Sequence, residues 1–75
     1  MKRLVIELEN DRRHSLTPAT GERLESAIRK HARHLKGHRP QRVLIQEYDA
    51  RLSTKFRYLP APQLLEVLLR ELGAG

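Results

Sequence analysis

The sequence predicts an α+β fold: a two-layer sandwich in β-α-β-β-α order, with a three-stranded, mainly antiparallel sheet and two helices on one face. Three patterns predict it. Apolar residues alternate at period two near the start and again in the second half. A helical stripe lies between them, and a leucine-rich stripe closes the chain. Its 75 residues suit one domain, so 1–75 is read as a single unit.

Leu4, Ile6 and Leu8 alternate with Arg3, Val5, Glu7 and Glu9, which reads as a half-buried first strand. The polar stretch Asn10 to His14 ends it. Thr17-Pro18 offers a helix cap followed by Pro at the first helical position, with Thr20 as a rival cap, so the first helix is expected over 18–36. Leu24, Ala27, Ile28, His31 and Leu35 share one face of it. Gly37 is the expected stop, and Pro40 forbids continuation.

Arg42 to Tyr48 reads as a second strand whose Val43-Leu44-Ile45 run is apolar on both faces. Leu52 to Leu59 reads as a third, joined to the second by Asp49-Ala50-Arg51 in a hairpin. Parity there places Leu52, Thr54, Phe56 and Tyr58 together, with core packing the favoured role for the rings, and Lys55 and Arg57 on the other face. Pro60-Ala61-Pro62 then opens a last helix over 62–72. Its Leu64, Leu65, Val67, Leu68, Leu69 and Leu72 spread past half the circumference, and Gly73-Ala74-Gly75 is expected to fray. In this order the first strand becomes a sheet edge. An open edge and an over-apolar helix are both relieved by pairing, so a homodimer is expected.

Arginine dominates the charge. Of 15 basic residues only Lys2, Lys30, Lys36 and Lys55 are lysines, and the formal net charge is +6 against 9 acids. Such a surface attracts polyanions or acidic protein faces. Ser26 to Gln46 contains no Asp or Glu, yet holds Arg29, Lys30, Arg33, Lys36, Arg39 and Arg42. Arg29, Arg33, Lys36, Arg39 and Arg42 are therefore the candidate phosphate contacts, since arginine can bind phosphate bidentately.

Other chemistries find less support. His31, His34 and His38 are spaced H-x2-H-x3-H, but no cysteine or nearby acid completes a metal shell. A metal-free ribonuclease would use His38, Tyr48 or Tyr58 with Arg39 or Arg57, at no diagnostic spacing. No phosphate loop, nucleophile elbow or helix-turn-helix occurs. No cofactor, catalytic residue or metal ligand is assigned. The absence of cysteine fits a reducing compartment. Glu7 and Glu9 interrupt the apolar start, so no signal peptide or membrane span is read, and a cytoplasmic location is expected. The expected function is a small non-enzymatic protein that binds nucleic acid, RNA or DNA, through its backbone. The rival is a module presenting the same arginines to an acidic protein, with apolar contacts from Leu65, Val67, Leu69 and the edge of the first strand.

Overall fold

Alternation at the start of the chain has the expected consequence. In the computed structural model, which describes residues 2–48 and 56–74, β1 (Lys2–Glu7) turns Leu4 and Ile6 inward until both are fully buried. The residues that follow, 8–16, depart from expectation. Asn10 and Asp11 both take positive φ, 60° and 59°, and the Arg12 amide donates to the Glu9 carbonyl at 3.3 Å. Two successive left-handed residues closed by that bond make a tight hairpin turn whose twist suits antiparallel strands. The chain therefore folds back as β2 (Arg13–Leu16), pairing Leu16 with Leu4 and His14 with Ile6. Asn tolerates the left-handed conformation through its short polar side chain. Read as a polar break, Asn10 to His14 concealed both a turn and the start of a strand.

That hairpin corrects the expected topology. Among the described residues the sheet has four strands, not three, in the order β2-β1-β3-β4, all antiparallel, with β3 at Arg42–Tyr48 and β4 at Phe56–Pro60. The element order is ββαββα. β1 sits inside the sheet between β2 and β3, so it is no edge; the edges are β2 and β4. Since β2 and β3 both oppose β1, they run parallel, and the chain crosses between them by a helix.

This helix, α1 (Leu24–Ala32), starts later than expected. Neither Thr17 nor Thr20 caps it; Arg23 holds the cap position without a side-chain bond. The Glu22 amide donates to the Ala19 carbonyl at 2.9 Å, and Gly21 between them takes φ +80°. A turn with positive φ at its third residue calls for glycine, so Thr20-Gly21 turns the chain before the helix begins. At the other end the stop is where the sequence puts it. A short 3-10 turn, Arg33–Leu35, follows the helix; Gly37 takes φ +89°, and the His38 amide closes on the Leu35 carbonyl at 3.0 Å.

The last helix, α2 (Pro62–Ala74), has Pro at its first position, where the missing amide costs no helical bond. Ala61 anchors it: its amide donates to the Val43 carbonyl at 2.8 Å, and its carbonyl accepts from Leu64 and Leu65. Both helices cover one sheet face. The core joins Leu4, Ile6 and Val43 from the sheet, Ala27, Ile28, Ala32 and Leu35 from α1 and its end, and Leu68 from α2. Leu64, Leu65, Val67 and Leu72 pack against it, leaving Leu69 at 47% exposure. The apolar surplus of the last helix is thus largely absorbed within the chain, and Leu65 and Val67 are half-buried instead of free for a partner. The predicted connection 49–51 and residues 52–55 of the predicted strand lie outside the described residues.

β4 carries the second correction. Its register pairs Leu59 with Ile45 and Tyr58 with Gln46, and Ile45 pairs with Leu4. Directly paired residues share a face. Leu59 therefore points to the helix side, while Phe56 and Tyr58 lie on the uncovered face, 51% and 53% exposed. Tyr58 and Leu59 are both apolar neighbours, so parity alone could not choose between them.

Candidate nucleic-acid interface

The end of α1 and the loop after it gather the cations. Leu35 is buried and fixes the 3-10 turn to the core, which leaves Arg33, His34 and Lys36 exposed around it. Cations suit this position, where the helix dipole is negative and last-turn carbonyls lack partners. Arg33 Nε donates to one of them, the Lys30 carbonyl, at 3.4 Å.

Beyond Gly37, one carboxylate pins the loop. Glu9, in the β1–β2 turn, accepts from the Arg39 amide at 2.8 Å and meets His38 Nδ1 at 3.1 Å. Those contacts hold the Glu9 carboxyl below its ordinary range: the Arg39 amide foremost, then Glu9's own amide and His38, against an opposing desolvation effect. The Gln41 amide donates to the Glu7 carbonyl at 2.7 Å and leads the chain into β3. Glu9 binds the Arg39 backbone, and no described carboxylate lies at ion-pair distance from the Arg39 guanidinium.

Five residues were expected to face phosphate, and the structure divides them. Arg33, Lys36 and Arg39 are exposed and have no carboxylate at ion-pair distance among the described residues. Arg29 reaches Glu25 at 2.9 Å and Glu71 at 3.6 Å, with about half of its surface in water. An exposed i,i+4 pair contributes only about 0.3–0.5 kcal/mol, so a phosphate can compete for this guanidinium. Arg42 is held harder. Its Nη2 lies 2.5 Å from Glu7 Oε1, and Arg13 approaches the other oxygen at 3.7 Å. Oε1 is buried and lacks hydrogen-bond alignment, so its contact with Arg42 is ionic. Arg42 is also on β3, at the Glu7–Arg13 end of the sheet face that no described helix covers.

That face is the part sequence reasoning missed. Cross-strand pairing places Arg13 and Ser15 of β2, Arg3, Val5 and Glu7 of β1, Arg42, Leu44 and Gln46 of β3, and Tyr58 of β4 together on it. Val5 is nevertheless buried, because its neighbours crowd it. Arg3, Gln46 and Tyr58 form one row across three strands. Arg3 is exposed and unpaired among the described residues. Only knowledge of the β3–β4 register could have found this row.

Three of the histidines gather between β2 and the end of α1, not along one helix face. His31 meets His14 of β2, not His38; their rings lie 4.3 Å apart and their Nε2 atoms face each other. The His34 ring lies 5.1 Å from that of His31. Burial chiefly, then the charges of His14 and His34, push the His31 pKa down. Among the described residues no group of three His, Cys, Asp or Glu is arranged to hold a metal ion. His38 sits in the loop beside the Glu7–Arg42 end of the sheet, whereas Tyr58 pairs with Gln46, four residues along β3 and so about 13 Å away. His38 and Tyr58 are therefore not neighbours. No described helix is long and apolar enough to cross a membrane.

Comparison of the chain with protein-family models, with curated proteins and with solved structures finds no match.

Proposed function

We propose that this chain is a small non-enzymatic protein that binds nucleic acid through its phosphates, with Arg33, Lys36 and Arg39 as the main contacts. One observation carries the reading. Three cations fall within seven residues of a helix end, on a loop pinned by Glu9, and none has an acid partner among the described residues. A pinned loop loses little freedom on binding, so its charges act at low entropic cost. Arg29 joins by exchanging Glu25 for a phosphate, and Arg42 contributes least, since Glu7 already holds it.

Salt dependence tests this most directly. Each phosphate contact steepens the fall of affinity with salt by roughly one unit of log–log slope. Replacing Arg33, Lys36 and Arg39 by Ala is expected to weaken binding of a labelled duplex and to flatten the slope by about three units. An unchanged slope would reject the assignment. A nuclease-treated pull-down that still retains an acidic protein partner favours the rival, in which the same cations dock on protein. The lack of cysteine suits the reducing cytoplasm as the place of action.

A homodimer is part of the proposal, through an exposed sheet edge. With β1 enclosed, the available edges are β2 and β4. Light scattering at micromolar concentration that returns 8.8 kDa, the mass of one chain, rejects it.

A further inference from the structure

We infer that His14 and His31 form a chelating site for a divalent first-row transition metal ion, copper(II), nickel(II) or zinc(II), which ties β2 to α1. Convergence is the first observation. His14 pairs with the buried Ile6 and so stands on the helix side of β2, since directly paired residues share a face. His31 lies one helical turn beyond the buried Ala27 and Ile28, on the inward stripe of α1. The two rings meet with their centroids 4.3 Å apart, each turning its Nε2 toward the other. Imidazole nitrogens aimed at one point from two separately anchored elements are what a metal ion of this class requires.

The second observation is the lack of a competing acid. Among the described residues His38 is the histidine that meets a carboxylate, and neither His14 nor His31 has one at ion-pair distance. As neutral imidazoles the pair shares one hydrogen, the Nε2–H of one ring donating to the bare Nε2 of the other. When an ion takes the place of that hydrogen, the donating ring carries its proton on Nδ1 instead, and both Nε2 lone pairs point at the metal. Neither ring changes its charge. Two imidazole nitrogens on one tetrahedral ion stand about 3.3 Å apart, and both rings are half-buried, which leaves them room to reach that spacing.

The donor set selects the ion. Imidazole suits copper, nickel and zinc, with copper(II) bound most tightly, whereas magnesium and calcium call for oxygen. Two donors converge here, not three: the His34 ring is near His31, yet no group of three is arranged around one point among the described residues. Solvent fills the remaining positions at this surface site. The consequence is for the fold. β2 is a four-residue strand at an edge of the sheet, and the chain has no cysteine with which to fix it. A metal clip from His14 to His31 closes the 17-residue span between them, the kind of staple that small domains use.

The test uses the full chain, made without a polyhistidine tag and stripped with chelator. Calorimetric titration is expected to show one ion bound per chain for copper(II), nickel(II) and zinc(II), tightest for copper(II), and none for magnesium. Saturating zinc is expected to raise the melting temperature by about 5 °C or more, because the folded chain alone presents both nitrogens. His14→Gln and His31→Gln are each expected to lose about a hundredfold in affinity, since either change breaks the chelate. His34→Gln and His38→Gln keep both donors and are expected to bind like the parent. Should His31→Gln fail to fold, His14→Gln on the edge strand decides, with its own melting curve as the check. No binding by the parent at micromolar metal overturns the site. So does parent-like binding by His14→Gln, or a loss as large in His34→Gln or His38→Gln. Equal affinity of the urea-unfolded chain reduces the binding to adventitious capture by loose histidines, and a melting temperature that zinc leaves unchanged removes the tie between β2 and α1; each overturns the proposal.

Discussion

The two faces of the sheet share every strand but obey different constraints. On the helix side, Leu4, Ile6 and Val43 are sealed beneath α1 and α2, and that face carries most of the stability. On the other side, no described helix covers Val5 and Leu44, and Phe56 and Tyr58 are half exposed. A covered face is chosen for shape and apolarity. A face that no described helix covers can hold arginine, glutamine and aromatic rings, because it need not be apolar throughout. Folding and binding are therefore separable in this chain, and substitutions on the two faces should sort accordingly.

Removing a central core side chain gives the largest expected effect. Ile28, fully buried in α1, is expected to cost about 2–5 kcal/mol as Ile28→Ala, read as a large fall in melting temperature or loss of the fold. On the uncovered face Tyr58→Ala should fall within about 0.5 kcal/mol of the parent. A Tyr58 variant as damaging as the Ile28 one would mean that something covers that face.

Next in size is the turn that presents the cations. Gly37 has φ +89°, and a Cβ there would meet no atom within 4 Å, so the penalty for Ala is backbone strain alone. Gly37→Ala is expected to cost about 1–2 kcal/mol. A neutral outcome in denaturant titration would show that the turn can relax without it.

Acidity adds a third contrast, confined to the helix side. The folded chain depresses the His31 pKa, so it binds fewer protons there than the unfolded chain. Stability from this group is complete above the ordinary histidine value of about 6.5 and is lost as pH falls through the lower folded value. Melting temperature should therefore drop from pH 7.5 toward pH 5, as measured by circular dichroism at constant salt, within the range about histidine's pKa. His14→Asn removes one of the charges that depress His31, so part of this slope should disappear. A parent chain as stable at pH 5 as at pH 7.5 would contradict it. Smallest of all, Lys36→Ala should leave stability within about 0.5 kcal/mol while weakening nucleic-acid binding; a destabilised variant would reveal an unseen structural role.

Particular residues show how much could be read beforehand. The buried stripe of α1, its stop at Gly37, the limits of β3 and the Pro62 helix start are all local, set by periodicity or by one residue's backbone preference. The first hairpin was also written locally, in Asn10-Asp11, but without a glycine that turn looks like a polar break. The late start of α1 has the same kind of cause: Gly21 serves a turn, where sequence suggested the first turn of a helix.

The candidate site divides along similar lines. An acid-free stretch from Ser26 to Gln46 is visible in the sequence, and so are the cations it contains. Which of them stay free was decided by acids distant in the chain: Glu7 takes Arg42, Glu71 reaches Arg29, and Glu9 holds the Arg39 backbone but not its guanidinium. Tyr58 and Arg3 are 55 residues apart in the chain and meet in one row only through β3.

The sequence by itself determined the α+β class, the two helices, the buried stripe of the first and the excess of arginine, because period and composition act over a few residues. The tertiary structure alone decided that β1 is interior, that Phe56 and Tyr58 face water, and which guanidiniums find a carboxylate. Each of these depends on strand register, and register is fixed when the core closes, not by the residues on either side of a given position.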